Sequence, residues 1–141
     1  MTNPQRRALV YIAARTSKGQ TKWGVEVHPV GQTVRRRISQ ASSITQPQAL
    51  LKAVTGVLNG VSPGAEMEII CNDNYLSSGI QSDLDRWSIN NWRKSDGKPI
   101  KNQELWIGVH KAASRHSITA RRSNSDKEHL RLEQLKDRCV L

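Results

Sequence analysis

Near residue 45 the spacing of apolar residues changes from a period of two to a helical period, and few architectures accommodate both halves of such a chain. Upstream, Ala8-Leu9-Val10-Tyr11-Ile12 is a compact β-favouring run, Ser17-Lys18-Gly19-Gln20 is a turn signal, and Trp23-Gly24-Val25-Glu26-Val27 alternates apolar and polar residues. Together they predict an antiparallel hairpin. Gly31 opens a third segment, Thr33 to Ile38, whose Arg35-Arg36-Arg37 suits a sheet edge better than a central strand. Downstream, Thr45 and Gln46 before Pro47 resemble a helix start. Leu50, Leu51, Val54, Val57 and Leu58 then share one face until Asn59-Gly60 stops the helix.

The rest of the chain alternates between the two periods. Pro63-Gly64 leads into a short strand, Met67-Glu68-Ile69-Ile70-Cys71, bounded by Asn72-Asp73-Asn74. Ile80, Leu84, Trp87 and Ile89 predict a second helix, and Ser95-Asp96-Gly97-Lys98-Pro99 is a loop. Leu105, Trp106, Val109, Ala112 and Ala113 mark a third helix. Ser117-Ile118-Thr119-Ala120 is a short strand, and Ser125 or Asp126 caps a last helix carrying Leu132, Leu135 and Cys139. The predicted order β-β-β-α-β-α-α-β-α is that of an α/β protein. It implies a mixed five-stranded sheet, three antiparallel strands first and then crossovers, with helices on both faces. At 141 residues, positions 1–141 are expected to form a single domain.

Charge points to a polyanionic partner. Lys and Arg number 22 against 12 acids, a net charge of +10. The excess lies in residues 1–40 and 85–123, on either side of a mildly acidic middle. Two basic blocks of this kind fit a grip on a phosphate backbone, whereas the chain lacks the basic amphipathic helix that an anionic membrane surface calls for. No stretch approaches the roughly 20 apolar residues of a membrane span. Ala8 to Ala14, followed by Arg15 and Lys18, fits a buried strand and not a targeting segment. Cys71 and Cys139 form neither a CxxC pair nor a disulfide framework, which suits a reducing, cytoplasmic setting. His28, His110, His116 and His129 show no zinc-ligand spacing.

Two local runs carry a family resemblance. Tyr75-Leu76 is followed at fixed spacing by Gly79-Ile80. Trp87 precedes Trp92-Arg93-Lys94-Ser95-Asp96-Gly97-Lys98-Pro99-Ile100-Lys101-Asn102 and then Leu105-Trp106. About thirty residues at one register, with the element order, resemble type 1 ribonuclease H, the metal-dependent nuclease that cleaves the RNA strand of RNA–DNA hybrids. The resemblance implies a ribonuclease H-like fold and a basic "handle" between the second and third helices.

It also implies a site. The family's chemistry uses two Mg²⁺ ions about 3.5–4 Å apart, held by carboxylates. In the family these are an Asp on the first strand, a Glu on the first helix, an Asp at the end of the fourth strand and a further Asp near the last helix. Here the resemblance sets Ala13, Ala49 and Asn72 at the first three positions, and Glu133 or Lys136 at the fourth. Asn72 is isosteric with Asp but uncharged. Asp73 is one residue out of phase and is expected to point away. The expected set of metal ligands and catalytic residues is therefore empty, with Glu133 a possible remnant. Mg²⁺ would be the cofactor only if activity is retained.

The binding apparatus is retained by comparison. Trp92, Arg93, Lys94, Lys98 and Lys101 occupy the handle, and such side chains neutralise phosphates or pack on sugar. Thr45, Gln46 and Asn74 stand where the family reads the minor-groove edge of a hybrid. These residues point to a non-catalytic domain that binds an RNA–DNA hybrid or duplex. Two alternatives stay open. One is a hybrid endoribonuclease, either an active variant or a deliberately inactivated one; substitutions at Ala14, Arg15 and the missing Gly-His loop favour natural divergence over the latter. The other is an interaction scaffold for a protein partner in replication, recombination or a mobile element.

Overall fold

The computed structural model describes residues 6–140. Strands β1 (Arg7–Ser17) and β2 (Gln20–Pro29) form the predicted hairpin. Its two-residue turn holds Lys18 and Gly19 at φ 51° and 77°, the left-handed pair that matches the natural twist of adjoining strands. Strand β3 (Arg35–Ser42) pairs antiparallel with β2 along the sheet edge. It runs four residues past the predicted Ile38, and the side chain of Gln20 bonds both Ser42 and Gln40 across that extension.

Helix α1 (Gln46–Asn59) begins at Thr45 and is followed by β4 (Glu66–Ile70), which lies parallel to β1. After further helices, β5 (Ser117–Arg121) pairs parallel with β4. The sheet order is β3-β2-β1-β4-β5. Parallel neighbours require crossovers, which the helices supply.

Alternation along β1 divides the core in two. Val10, Ile12 and Ala14 point with Met67 and Ile69 toward Leu51, Val54 and Leu58 of α1 and toward Trp106 and Val109. Leu9, Tyr11, Ala13 and Ile70 point the other way, against Leu132 and Leu135 of α5 (Asp126–Asp137). Helices thus cover both faces. Among the described residues no helix is long and apolar enough to cross a membrane. Cys71 and Cys139 are free and buried, and burial pushes the Cys71 thiol up to about 11.

Two local expectations are corrected. The helix predicted around Ile80 to Ile89 is broken into α2 (Asn74–Ser78), a π-helical turn over Gly79–Asp83, and α3 (Leu84–Ile89). The wide turn sits where Gly79 meets the Trp106 indole of α4 (Gln103–Ala113); a Cβ at Gly79 would overlap the ring. The second concerns Glu26, a polar position in an alternating strand and so expected to face solvent. It is only 2% exposed because α5 covers that face. Burial works to raise its pKa, but hydrogen bonds from His28 (2.6 Å) and Arg36 (2.9 Å) outweigh it and hold the carboxyl below its usual range. Arg131 of α5 approaches the same carboxylate at 3.3 Å.

Candidate functional site

Where β4 ends beside the middle of β1, the pairing of Tyr11 with Ile70 carries Ala13 alongside Asn72. A hollow of about 90 Å³ opens there, lined among others by Ala13, Gln46, Leu50, Asn72, Glu133 and Lys136. The sequence comparison had assigned Ala49 to this place. The structure turns Ala49 fully into the core, and Leu50 lines the hollow instead. One residue along a helix rotates the side chain by about 100°, so a single step of register moves it from core to cleft.

Two polar side chains in the hollow, Asn72 and Asp73, already have partners. The Asn72 Oδ1 accepts from the Ser123 amide (3.3 Å) and hydroxyl (2.8 Å). Ser123 Oγ is also bonded to His129 Nδ1. Asp73 lines the hollow, contrary to the expectation that it points away. Its Oδ1 nonetheless accepts from the Leu76 amide (2.9 Å) and caps α2. Arg15 forms an ion pair with Asp137 (3.6 Å). Among the described residues no three of His, Cys, Asp and Glu group so as to hold a metal ion.

Beside the hollow, β5 ends in Arg121, whose guanidinium makes a two-pronged contact with Glu128 (2.8 and 2.7 Å) and also reaches Glu68 (3.2 Å). The Arg121 bond lowers the Glu128 pKa to about 2. This clamp joins the start of α5 to the sheet, and Ser125 caps the same helix end by accepting from the Glu128 amide (3.2 Å). It fixes the segment that carries Ser123 and His129 to Asn72. Sequence reasoning found neither residue, since residues 121–125 have no periodicity; the polar run Ser123-Asn124-Ser125 was the available signal.

The second region is the basic loop after α3. Asn91 and Trp92 have φ of 56° and 61°, which reverses the chain. Arg93 pairs with Pro99 in a β-bridge, and Lys94 N donates to Lys98 O at 2.7 Å, closing a small hairpin. Asp96 accepts from the Lys98 amide, and the Arg93 guanidinium donates to Gly97 O. Arg93, Lys94, Lys98 and Lys101 are all exposed. None of the four forms an ion pair among the described residues. Trp92 is half-buried, edge-on to His110 (5.4 Å), and so anchors the loop to α4.

Behind the loop lies a hydrogen-bond hub that the sequence did not reveal. Tyr75 OH accepts from Trp106 Nε1 (2.8 Å) and Asn102 Nδ2 (3.2 Å) and donates to Lys101 O (3.3 Å). Asn102 in turn accepts from Gln48, whose side-chain oxygen accepts from the Thr45 amide. Thr45 Oγ1 accepts from the Gln48 amide, so this predicted contact residue serves as the α1 cap. Gln46 is exposed at the hollow. Asn74 is exposed too, and its Oδ1 accepts from Arg122 (3.4 Å).

Comparison with known proteins agrees with the fold. The RNase H family profile matches residues 8–123. A ribonuclease H of Actinobacillus succinogenes is 40% identical over 68 residues, 48% of this chain and 44% of that protein. The match thus spans less than half of that relative. The structure of a foamy viral protease-reverse transcriptase in complex with RNA/DNA hybrid superposes with a TM-score of 0.77 at 16% identity, covering 94% of this chain and 19% of that one. LC9-RNase H1, a type 1 RNase H with the type 2 active-site motif, superposes at 0.72 and 19% identity, covering 96% and 71%. With the profile spanning most of the sheet and helices, the chain belongs to the ribonuclease H family.

Proposed function

We propose that this ribonuclease H-like domain binds nucleic acid, an RNA–DNA hybrid or a duplex, without cleaving it. The observation that carries the proposal is the pair of side chains where β4 ends beside β1: a methyl group at Ala13 and an amide at Asn72 already engaged by Ser123. Leu50 closes the same hollow with a hydrocarbon. Two close divalent cations need converging anions to offset their mutual repulsion. This donor set does not fit two Mg²⁺ ions: Asp73 is occupied as a helix cap, and Glu133 shares its helix with Lys136.

The exposed cations support binding. Lys94, Lys98 and Lys101 project from a loop whose backbone is closed by its own hydrogen bonds, so they present charge from a defined platform. Phosphate contacts of this kind release counterions, and affinity then falls linearly with salt on logarithmic axes. Among fold relatives, the foamy viral enzyme is held with an RNA/DNA hybrid.

The name ribonuclease H carried by the relatives favours a second reading, hybrid hydrolysis, in which Asp73 and Glu133 would be the acids available in the hollow. Fluorescence anisotropy with a labelled hybrid, titrated with salt in Mg²⁺ and in chelator, tests the first reading. Binding that weakens steeply with salt and is indifferent to chelator supports it. Absence of binding at low salt, or binding that requires Mg²⁺, contradicts it.

A further inference from the structure

On the α1 side of the sheet, away from the hollow and the basic loop, the structure contains an open groove of about 500 Å³ between β3 and α1. Its floor is apolar: Trp23, Val25 and Val27 of β2 face Val57 of α1. Its rim is cationic on both walls. Arg35 and Arg37 pair with Val27 and Val25 in the β2–β3 register and so stand on the same face, and Lys52 projects from the opposite wall. All three are exposed, and none has an ion-pair partner among the described residues. Arg36, by contrast, stands opposite Glu26 in the register and on the other face of the sheet, where it pairs with that carboxylate.

We infer that this groove receives an acidic amphipathic peptide segment of a protein partner, its aliphatic side chains on the valine floor and its carboxylates on the two rims. Charge complementarity selects the occupant. Three uncompensated cations in two rows call for several anions on one ligand, which a single-headed amphiphile lacks. A nucleic-acid duplex offers phosphates but no aliphatic ridge to enter the groove, and apart from the single indole of Trp23 the floor gives no aromatic surface on which successive unpaired bases could stack. A second hollow, sharing Val27, Arg35, Gly60 and Val61, continues the groove toward Arg6 and Arg7. That continuity fits an elongated chain segment. Gly56 lies in the wall and has open space where a Cβ would stand, so the groove is wide at its centre because that residue has no side chain.

The test is selection of random twelve-residue peptides displayed on phage against the intact chain, followed by anisotropy with the enriched synthetic peptides. The expected result is enrichment of sequences alternating Asp or Glu with Leu, Ile or Val. Their affinity should fall at least tenfold in the Arg35→Glu/Arg37→Glu/Lys52→Glu variant. It should fall similarly in Gly56→Leu, which fills the groove without changing charge. Lys98→Glu/Lys101→Glu should leave peptide binding unchanged, which excludes general attraction to a basic protein. Enrichment of peptides lacking acids, or no enrichment, would overturn the inference. So would peptide affinity retained in Gly56→Leu, or a loss of hybrid binding in the groove variants equal to the loss of peptide binding. Circular dichroism on each variant establishes that it is folded.

Discussion

The basic loop with its supporting helices and the hollow at the strand ends lie in one fold but are held by different physics. In the first, the aromatic side chains have packing duties. Trp106 is fully buried against Gly79, Trp87 meets it edge-on at 5.0 Å, and Tyr75 bonds its indole nitrogen. In the second, Asn72 is exposed just past the end of β4 and Ala13 is a half-buried methyl at the margin of the second core, so exchange there disturbs less packing than at Trp106. Residues that hold the fold cannot change without unfolding it, whereas residues outside the packing can. A family member can therefore keep a recognisable scaffold around the loop whatever side chains line its hollow.

Substitutions sharpen this contrast, and the largest effect is expected at the indole. Trp106→Ala should cost about 3–5 kcal/mol in a denaturant titration, since it leaves a large cavity and removes one hydrogen bond from the Tyr75 hydroxyl. If it cost under about 1 kcal/mol, the packing side of the comparison would be wrong. Next comes the Arg121–Glu128 clamp. Glu128→Gln should cost about 2 kcal/mol, the range for hydrogen bonds to charged groups. The folded-state pKa of Glu128 is depressed to about 2 from 4.5, so its contribution is complete above about pH 4.5 and is lost as pH falls toward 2. Thermal unfolding across that window should show a decline that is shallower in the Gln variant.

Effects on binding are expected to be smaller. Lys98→Glu/Lys101→Glu should leave the melting temperature unchanged, weaken hybrid affinity about tenfold and reduce the salt slope by roughly one per side chain. An unchanged slope would remove the loop from the interface. On stability, Ala13→Asp with Asn72→Asp is expected to cost no more than about 1 kcal/mol, since Asn72 is exposed and Ala13 only half-buried. The same pair, extended by Leu50→Glu, should introduce Mg²⁺ binding detectable by calorimetry. A large loss of stability in the double variant would show that the hollow does carry packing.

Much of the architecture was readable because it follows from period and punctuation. Val10 and Ile12 against Tyr11 divide the two faces, Lys18-Gly19 turns the hairpin, and Pro47 starts α1. What escaped depends on distant packing. Glu26 gave no sign of burial because the helix that covers it lies about a hundred residues later in the chain. The break at Gly79 depends on where Trp106 arrives. At the hollow, Ala49 and Leu50 are both apolar, so the pattern alone could not decide which of them faces it. Ser123 and His129 reach Asn72 only because the Arg121 clamp fixes the start of α5.

The most direct test is a cleavage assay of a labelled RNA–DNA hybrid with the unmodified chain in Mg²⁺ and separately in Mn²⁺, at protein concentrations that saturate binding. The account predicts a bound, uncut RNA strand at all times. Repeated turnover with either ion would contradict it.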